Sequence, residues 1–444
     1  MNLTKEQVNR LVFSDMPAAF REAGHPKFHL TAPSHVTIDF WGPAVKDRVL
    51  HIYFHVCPEG SSFQENTHFF HARTQNLLDW ELLPCPIAPG EDELRLNDGC
   101  IDFDDRGRAI MLYTSVPKGH IPRSHHAAYG NEDLTEFTRP DPDEPFMTLE
   151  NHGGPAFGWG WSDPFVFRAF GRTFMLMSKC VTPDGQNLLP IYEAVDGSLL
   201  HWEYKGILFE NNGEVVNFFP LSGKWVLIYS PYNTIEYFVG YLDPVTLHFT
   251  PEHHEILSYG YHRQDYPFDR GFYASFVTHW EGRTLLGGWI SGFPENPLWD
   301  GCMSSLREVI LDESQRLCQT PIRELISLRE PFTAQTGSFD LEALCFLDEG
   351  PVTLTLGDRL TLTMDTEGFA VNGERFDTPL PPHCQLRMLV DRSVAEIFLD
   401  GGRVTATRCF ADAQGYQPEI TSGRISDFTL WGMRSCQIRE NPVR

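Results

Sequence analysis

The sequence predicts an all-β fold, a five-bladed β-propeller followed by a C-terminal β-sandwich, and three observations support it. Short β-prone runs recur at similar intervals along residues 28–320. A turn that contains glycine or aspartate precedes each run, as in a tight hairpin. Beyond residue 335, apolar and polar residues alternate with turn signals about every 8–12 residues, which is typical of an antiparallel sandwich.

The repeated unit is an apolar run such as VLHIYFHV. The five runs start at Val49, Ala109, Thr173, Lys224 and Thr284, at intervals of 51 to 64 residues. Four-stranded propeller blades repeat at about 40–50 residues, so the longer intervals place the excess in loops. The turns before the runs read VKDR, DRGR, FGR, LSGK and WEGR. Five hairpin-containing units therefore predict five blades.

The strand before each run carries a polar residue at an equivalent place. These residues are Asp39, Asp98, Asp163, Glu214 and Tyr273. If the strands are the innermost ones of successive blades, Asp39, Asp163 and Glu214 converge at one mouth of the propeller. A lone acid such as Asp39, in SHVTIDFWGPAV, is more simply a turn or solvent-facing residue. Three carboxylates in register favour a functional site instead.

Three further segments surround the predicted propeller at 28–320. Residues 1–27 indicate a short amphipathic N-terminal helix and lack the basic-then-apolar layout of a signal peptide. Residues 321–335, which begin PIRELISLREPF, indicate a linker with a short helix. Residues 336–444 form the predicted sandwich.

Composition narrows the function classes. The formal net charge of −25 argues against nucleic acid or an anionic membrane as a partner and favours a neutral ligand. No run approaches about 18 apolar residues, so no transmembrane helix is predicted. Ten cysteines without a CxxC pair indicate reduced thiols and a cytoplasmic protein. The 18 histidines lack metal-ligand spacing and no phosphate loop or dinucleotide fingerprint occurs, so no metal or cofactor is expected.

The three acids suit glycoside hydrolysis. A retaining glycosidase places two carboxyl groups about 5–5.5 Å apart, one as nucleophile and one as acid and then base. Glu214 precedes two valines, an apolar setting that suits a proton donor. Asp39 has potential hydrogen-bond donors in Thr37 and the Trp41 indole, which suits the nucleophile. Asp163 suits the third role, that of a fixed carboxylate that binds sugar hydroxyls.

Aromatic residues accompany the same strand ends. They provide either stacking faces for a sugar or propeller core, and the sequence leaves both readings open. The residues are Phe40, Trp41, Trp159, Trp161, Phe218 and Tyr273.

Several segments resemble glycoside hydrolase family 32, the invertases, inulinases, levanases and related fructosyl enzymes, from about Phe28 to Leu430. FHLTAPSHVTIDFWG is similar to the family's W-M-N-D-P-N-G region, HIYFH to its HLFYQ-like strand, and ARTQNLLDWELLP to S-x-D-L-x-x-W-x-x-L-P. Ser162-Asp163-Pro164 resembles R-D-P, and EVVNFFPL resembles E-C-P-D-x-F-P. PIRELISLR resembles the family's junction, and LVDRSVAEIF resembles its sandwich signature.

The resemblance implies Asp39 as nucleophile, Glu214 as acid/base and Asp163 as transition-state stabiliser. The chain departs from the family pattern at residues beside the fructosyl pocket, namely Ile38, Phe40, Trp41, His55, Ser162, Val215 and Val216. These departures favour a short, unusual fructoside, such as a fructosyl disaccharide or a cyclic difructose, over sucrose or long-chain inulin. The residues expected to bind this substrate are Trp41, His55, Asp98, Trp161, Ser162, Asn217 and Tyr273.

The leading hypothesis is thus a retaining β-fructofuranosidase-like enzyme acting on a small-molecule fructoside. A fructosyltransferase or a difructose-anhydride-processing enzyme would use the same acids. A non-catalytic sugar-binding propeller is a second class, and an inverting arabinanase or xylosidase relative is a third. The sandwich signature at 390–398 argues against the third. The sandwich also offers a surface for a homo-oligomer.

Overall fold

The computed structural model describes residues 3–58, 66–119, 121–158, 160–262 and 270–441. The described residues form seven β-sheets, five of which are propeller blades and two of which form the sandwich. The predicted all-β propeller and sandwich is therefore confirmed. No helix among the described residues is long and apolar enough to cross a membrane.

A single α-helix of the described chain, α1 (Lys5–Ala19), precedes the propeller. Thr4 caps it, because its hydroxyl accepts from the backbone N–H of Gln7 while the Gln7 side chain accepts from that of Thr4. Val8 and Val12 are fully buried in the hydrophobic cluster that also contains residues of blades I and V. The helix thus covers the side of the propeller with its apolar face.

The blades follow one another along the chain, each with its first strand innermost. Blade I contains β1 (His35–Lys46), β2 (Val49–Cys57), β3 (His68–Thr74) and β4 (Trp80–Leu83). Blade II contains β5 (Glu93–Phe103), β6 (Ala109–Pro117), β7 (Ser124–Gly130) and β8 (Phe137–Thr138). Blade III contains β9 (Ser162–Ala169), β10 (Arg172–Ser178), β11 (Leu189–Ala194) and β12 (Trp202–Phe209).

Blades IV and V complete the ring. Blade IV contains β13 (Glu214–Leu221), β14 (Lys224–Ser230), β15 (Ile235–Leu242) and β16 (Phe249–Ser258). Blade V contains β17 (Gly271–Trp280), β18 (Arg283–Ser291), β20 (Cys302–Met303), β21 (Arg307–Leu311) and β22 (Leu317–Pro321). Between β18 and β20, β19 (Trp299–Asp300) pairs parallel with β1 and so ties the fifth blade to the first.

Four of the five hairpins between first and second strands are tight two-residue turns, as predicted. Both residues of four turns have positive φ: Asp47–Arg48, Phe170–Gly171, Ser222–Gly223 and Glu281–Gly282. This is the type I′ turn that matches the twist of paired strands, and glycine, asparagine and aspartate favour it. The repeated runs are thus the second strands of the five blades.

Two sheets pack face to face in the sandwich. One has the order β23 (Arg329–Pro331), β33 (Ile425–Met433), β24 (Ser338–Phe346), β29 (His383–Asp391), β30 (Val394–Leu399), β31 (Val404–Cys409). The other has the order β28 (Glu374–Phe376), β27 (Gly368–Val371), β26 (Leu360–Asp365), β25 (Val352–Leu356), β32 (Glu419–Ser422). Four short 3₁₀ helices lie within this part of the described chain, at Arg323–Leu328, Ala334–Thr336, Leu347–Glu349 and Asp400–Gly402.

The chain returns to the propeller after the sandwich. Its last described strand, β34 (Ile438–Glu440), pairs parallel with β4 at the outer edge of blade I. The 3₁₀ helix Arg323–Leu328 lies between the end of β22 and the first sandwich strand. The domain boundaries expected from the sequence remain a prediction.

A buried charge cluster joins the sandwich to the propeller; it consists of His29, Arg307, Asp391 and Glu396, all fully buried. His29 Nδ1 lies 2.9 Å from Asp391 Oδ2, and its Nε2 lies 2.9 Å from Glu396 Oε1. Arg307 donates two bonds to Glu396, of 2.6 and 3.2 Å. The backbone N–H groups of residues 27–29 also donate to Asp391. The carboxylates of the LVDRSVAEIF segment therefore hold the chain before blade I against blade V.

We predict that this buried charge cluster makes the folded protein less stable as the pH rises into the alkaline range. Burial alone would lower the pKa of His29, but hydrogen bonds to Asp391 and Glu396 raise it from 6.5 to about 9. The protonated imidazole is therefore stabilising: its contribution is complete below about pH 6.5 and is lost as the pH rises through about 9. The unfolding midpoint should fall over this range in the native protein. The unfolding midpoint of His29→Gln should fall less over the same pH range. Equal pH profiles of the unfolding midpoint for the two proteins would contradict the assignment of this effect to His29.

Candidate active site

Irregular backbone places the predicted acids. The pairing of each inner strand with its neighbour shifts register near the strand start, as in a β-bulge. Asp39 (φ 45°) and Asp163 (φ 59°) occupy the left-handed region themselves, and in blades IV and V the residue after the polar one does so, Val215 (φ 49°) and Ala274 (φ 43°). Such backbone is uncommon outside glycine and clusters at functional sites. The bulges turn these side chains toward one mouth of the propeller.

In blade II the irregularity falls at Asp98. The register shifts between Asn97 and Gly99, so that Asp98 is the extra residue. A Cβ at Gly99 would lie 1.9 Å from the carbonyl oxygen of Leu112. Only glycine permits this close approach of β5 to β6. Asp98 and Asp163 also line the axial channel enclosed by the inner strands, so they lie where the channel meets the mouth.

Glu214 receives three donors. The Lys179 ammonium and the Tyr232 hydroxyl contact its Oε1, and the Tyr273 hydroxyl donates to its Oε2 over 3.2 Å. Tyr273 in turn accepts from the backbone N–H of Tyr232 at 2.8 Å. Burial raises the pKa of both tyrosines, so their hydroxyls remain donors. The expected apolar setting of Glu214 was therefore wrong, because Val216 is buried in the blade while polar groups of other strands surround the carboxylate.

Asp163 is held at one oxygen and open at the other. Its Oδ2 lies 3.6 Å from Lys179 Nζ and accepts from the backbone N–H of Val215 at 3.5 Å. Its backbone N–H donates to the Thr114 hydroxyl at 2.9 Å, which fixes the bulge. Buried Oδ1 has no hydrogen-bond partner among the described residues. A sugar hydroxyl would supply the missing donor.

Asp39 belongs to a second acidic pair. Its carboxylate lies within 4.8 Å of Asp98 and His55, and Asp98 Oδ1 lies 3.1 Å from His55 Nε2. Burial, and then the charge of Asp98, raise the pKa of Asp39, whereas burial and then Asp163 raise that of Asp98. Burial lowers the pKa of His55 to about 4, so its ring is neutral near pH 7. The donors expected for Asp39 do not reach it: the Thr37 hydroxyl donates to the His55 carbonyl, and Trp41 Nε1 has no partner among the described residues.

We predict that Asp98→Asn moves the acidic limb of the activity profile. Removing this neighbouring charge should lower the pKa of Asp39, so the carboxylate expected to act as nucleophile ionises at lower pH. The acidic limb of kcat/KM should then shift down by about one pH unit. Asp102→Asn is the matched control, because Asp102 lies on the same strand but pairs with Arg168. An unshifted acidic limb in Asp98→Asn would contradict the pairing.

The residues expected to bind substrate occupy different environments. His55, Asp98 and Tyr273 contact the acids of the mouth or each other. Ser162 is fully buried, and its hydroxyl has no partner among the described residues. The Asn217 amide donates to the carbonyls of Val215 and Ser275 and accepts from the N–H of Val277. Its polar atoms are thus used between β13 and β17, which corrects the expectation that they face a ligand.

The aromatic residues mostly form core. Trp41 is 1% exposed and packs on Phe69, and Trp161 is 0% exposed between His125 and His152. Neither ring offers a free face to a sugar, which corrects the expectation of stacking for both. Phe40 and Phe218 are also buried. Trp159 lies outside the described residues.

Two polar residues of the site were not anticipated. Lys179 follows β10, and Tyr232 lies in the turn after β14. Both come from the far ends of second strands, whereas the predicted site residues lie mainly on the inner strands. The lysine in MLMSKC, at the end of an apolar run, was the available signal.

Comparisons with known sequences place most of this chain in one family. The model for the glycosyl hydrolases family 32 N-terminal domain matches residues 29–321, and that for the family 32 C-terminal domain matches residues 348–431. Raffinose invertase of Escherichia coli is 25% identical, over 92% of this chain and 94% of its own. Sucrose-6-phosphate hydrolase of Escherichia coli is 24% identical, over 87% of this chain and 89% of its own.

Solved structures share the fold. Sucrose-6-phosphate hydrolase of Lactobacillus gasseri aligns with a TM-score of 0.82 at 19% identity, over 98% of this chain and 100% of its own. A family 32 β-fructofuranosidase of Bombyx mori aligns with a TM-score of 0.80 at 19% identity, over the same shares. With both family domains matched across most of the sequence, this chain belongs to glycosyl hydrolase family 32.

Proposed function

We propose that this protein is a retaining glycoside hydrolase that releases fructose from a short β-fructoside. The observation that carries the proposal is the meeting of Asp39, Asp163 and Glu214 at the bulged starts of three inner strands. Family membership supports the reaction class, and the related proteins are a raffinose invertase and a sucrose-6-phosphate hydrolase. No cofactor takes part in the proposed reaction.

In the first step an Asp39 oxygen attacks the anomeric carbon of the fructosyl ring. The bond to the leaving oxygen breaks, and Glu214 gives that oxygen its proton. Asp163 accepts hydrogen bonds from fructosyl hydroxyls through its unpartnered Oδ1. The product is an ester between fructose and Asp39, together with the free leaving group.

In the second step water replaces the leaving group. Glu214, now ionised, takes a proton from the water, whose oxygen attacks the anomeric carbon and breaks the ester to Asp39. The tyrosine hydroxyls of Tyr232 and Tyr273 orient Glu214 for both transfers. Two displacements at one carbon return the original β configuration.

The substrate is proposed to be short and unusual. Ser162 stands where the family pattern has arginine, and Val215–Val216 stand where it has cysteine and proline. These residues adjoin Asp163 and Glu214, so they change the surroundings of the two acids against which the sugar would bind. Transfer of fructose to a sugar in place of water would use the same three acids. Product analysis separates the two reactions.

The test is a panel of fructosides, with products identified by NMR. The compounds to be compared are sucrose, sucrose 6-phosphate, raffinose, inulobiose, short inulin- and levan-type oligomers, difructose anhydrides and long-chain inulin, with Glu214→Gln as the inactive control. We expect fructose from at least one short fructoside and little from long inulin. Binding without product for every compound would support a sugar-binding protein and overturn the proposed activity.

The cellular location is likewise a proposal. All ten cysteines are free thiols, and nine of them are buried. Cysteines that remain free thiols are typical of a protein in a reducing compartment, and we propose the cytoplasm.

A further inference from the structure

Lys179 enters the mouth from a blade that already supplies one acid. It follows β10 in the left-handed conformation (φ 55°), and its backbone N–H donates to the Gly213 carbonyl at 3.0 Å. This bond fixes the end of β10 beside the first residue of β13, which is Glu214. The side chain is 17% exposed, and its Nζ contacts Glu214 Oε1 and lies 3.6 Å from Asp163 Oδ2.

The charge balance of the mouth explains why a cation lies there. Asp39, Asp98, Asp163 and Glu214 act on one another electrostatically, so their negative charges repel. Burial alone would lower the pKa of Lys179, but Asp163 and Glu214 raise it above its usual value. Lys179 therefore remains charged and offsets part of this repulsion.

The charge of Lys179 also accounts for a departure of this chain from the family pattern. In the family pattern an arginine precedes the stabilising aspartate, whereas here the residue is Ser162. Ser162 is fully buried and brings no charge. The positive charge beside Asp163 comes from the neighbouring strand of the same blade instead. Lysine is a single compact charge, so one ammonium contacts both acids at once.

We infer that Lys179 is a positioning residue of the proposed reaction, whose ammonium holds the carboxylates of Glu214 and Asp163 together at the mouth. The inference rests on the proposed function for its catalytic meaning. Lys179 is not expected to exchange a proton with substrate. It acts through the carboxylate that it contacts.

Groups from every surrounding blade face Glu214. Asp163 and Lys179 belong to blade III, Tyr232 to blade IV and Tyr273 to blade V. Asp39 of blade I and Asp98 of blade II act on it through space. The two tyrosines are neutral because burial raises their pKa values, and the other three neighbours are acids. Among the described groups in contact with Glu214, the Lys179 ammonium is thus the one that carries a positive charge.

The experiment compares Lys179→Met with Lys179→Arg. The carboxylate stretching band of Glu214 is followed by infrared difference spectroscopy, with the band assigned by its loss in Glu214→Gln. We expect this band to shift in Lys179→Met, because the carboxylate loses its ammonium partner, and to stay near the native position in Lys179→Arg, which keeps the charge. In Lys179→Met kcat should fall about 10–100-fold with a smaller change in KM, whereas Lys179→Arg should restore most of kcat.

Lys224→Met is the matched control, because Lys224 pairs with Glu252 and Tyr241 at the outside of blade IV. It should change neither readout. If Lys179→Met does not fold, Lys179→Gln gives the same comparison. An unchanged Glu214 carboxylate band in the neutral variant would overturn the inference. The infrared readout needs no turnover, so a native protein that releases no fructose would refute the proposed function without deciding the role of Lys179.

Discussion

Replacing Asp39 by asparagine is expected to lower kcat for fructose release about 10⁴-fold or more. An amide cannot form the fructosyl ester, so the two-step route is lost while sugar binding persists. Asparagine tolerates the left-handed backbone that Asp39 adopts (φ 45°), so the substitution leaves the bulge of β1 in place. The measurement is steady-state kinetics on the best substrate of the panel, with binding followed by calorimetry.

Asp47→Asn provides the matched control for this loss. Asp47 is an exposed residue of the β1–β2 turn, also in the left-handed region (φ 51°), and it lies away from the acids of the mouth. Its substitution should leave kcat unchanged. If Asp39→Asn kept more than about a tenth of the native kcat, a covalent role for Asp39 would be untenable.

The second large effect concerns stability. Glu396→Gln should lower the free energy of unfolding by about 3–5 kcal/mol. The glutamate is fully buried and compensates both Arg307 and His29, which would be left as buried cations without a full counter-charge. Near neutral pH, hydrogen bonds and charge keep Glu396 ionised, since they lower its pKa to about 2 despite burial. Denaturant unfolding followed by tryptophan fluorescence measures the change.

A glutamate of the same domain supplies the comparison. Glu349 pairs with Arg424 on the surface, where both side chains are about half exposed. Glu349→Gln should cost no more than about 1 kcal/mol, because exposed ion pairs contribute little. If the two variants lost similar free energies of unfolding, burial of the charge cluster would not determine its contribution to stability.

The repeat and its acids could be predicted because they depend on local sequence. The hairpin turns require residues that accept positive φ, and residues such as Asp47 and Gly223 mark them directly. Once the hairpins are in register, equivalent positions such as Asp39 and Asp163 must lie around one axis. Asp391 and Glu396 could be recognised from the sequence only as part of a segment that resembles the family's sandwich signature. Their contact with His29 joins residues more than 360 positions apart in the chain.

The surroundings of each acid were harder to predict because they come from other strands. Val215 and Val216 suggested an apolar setting for Glu214, but Lys179 and Tyr273 approach it from neighbouring blades. Likewise, Trp41 lies two positions after Asp39 and would share its face on a regular strand, yet the bulge at Asp39 leaves the Trp41 ring in the core. Sequence neighbours are therefore poor guides to the partners of a residue on a bulged strand.

The measurement that tests the central claim most directly is the anomeric form of the first fructose released. NMR spectra recorded before mutarotation is complete, with the best substrate of the panel, distinguish β-fructofuranose from its α anomer. The double displacement through Asp39 and Glu214 predicts the β anomer first, with no such signal from Asp39→Asn. Initial release of the α anomer, or an undiminished signal from Asp39→Asn, would contradict a retaining mechanism at these residues.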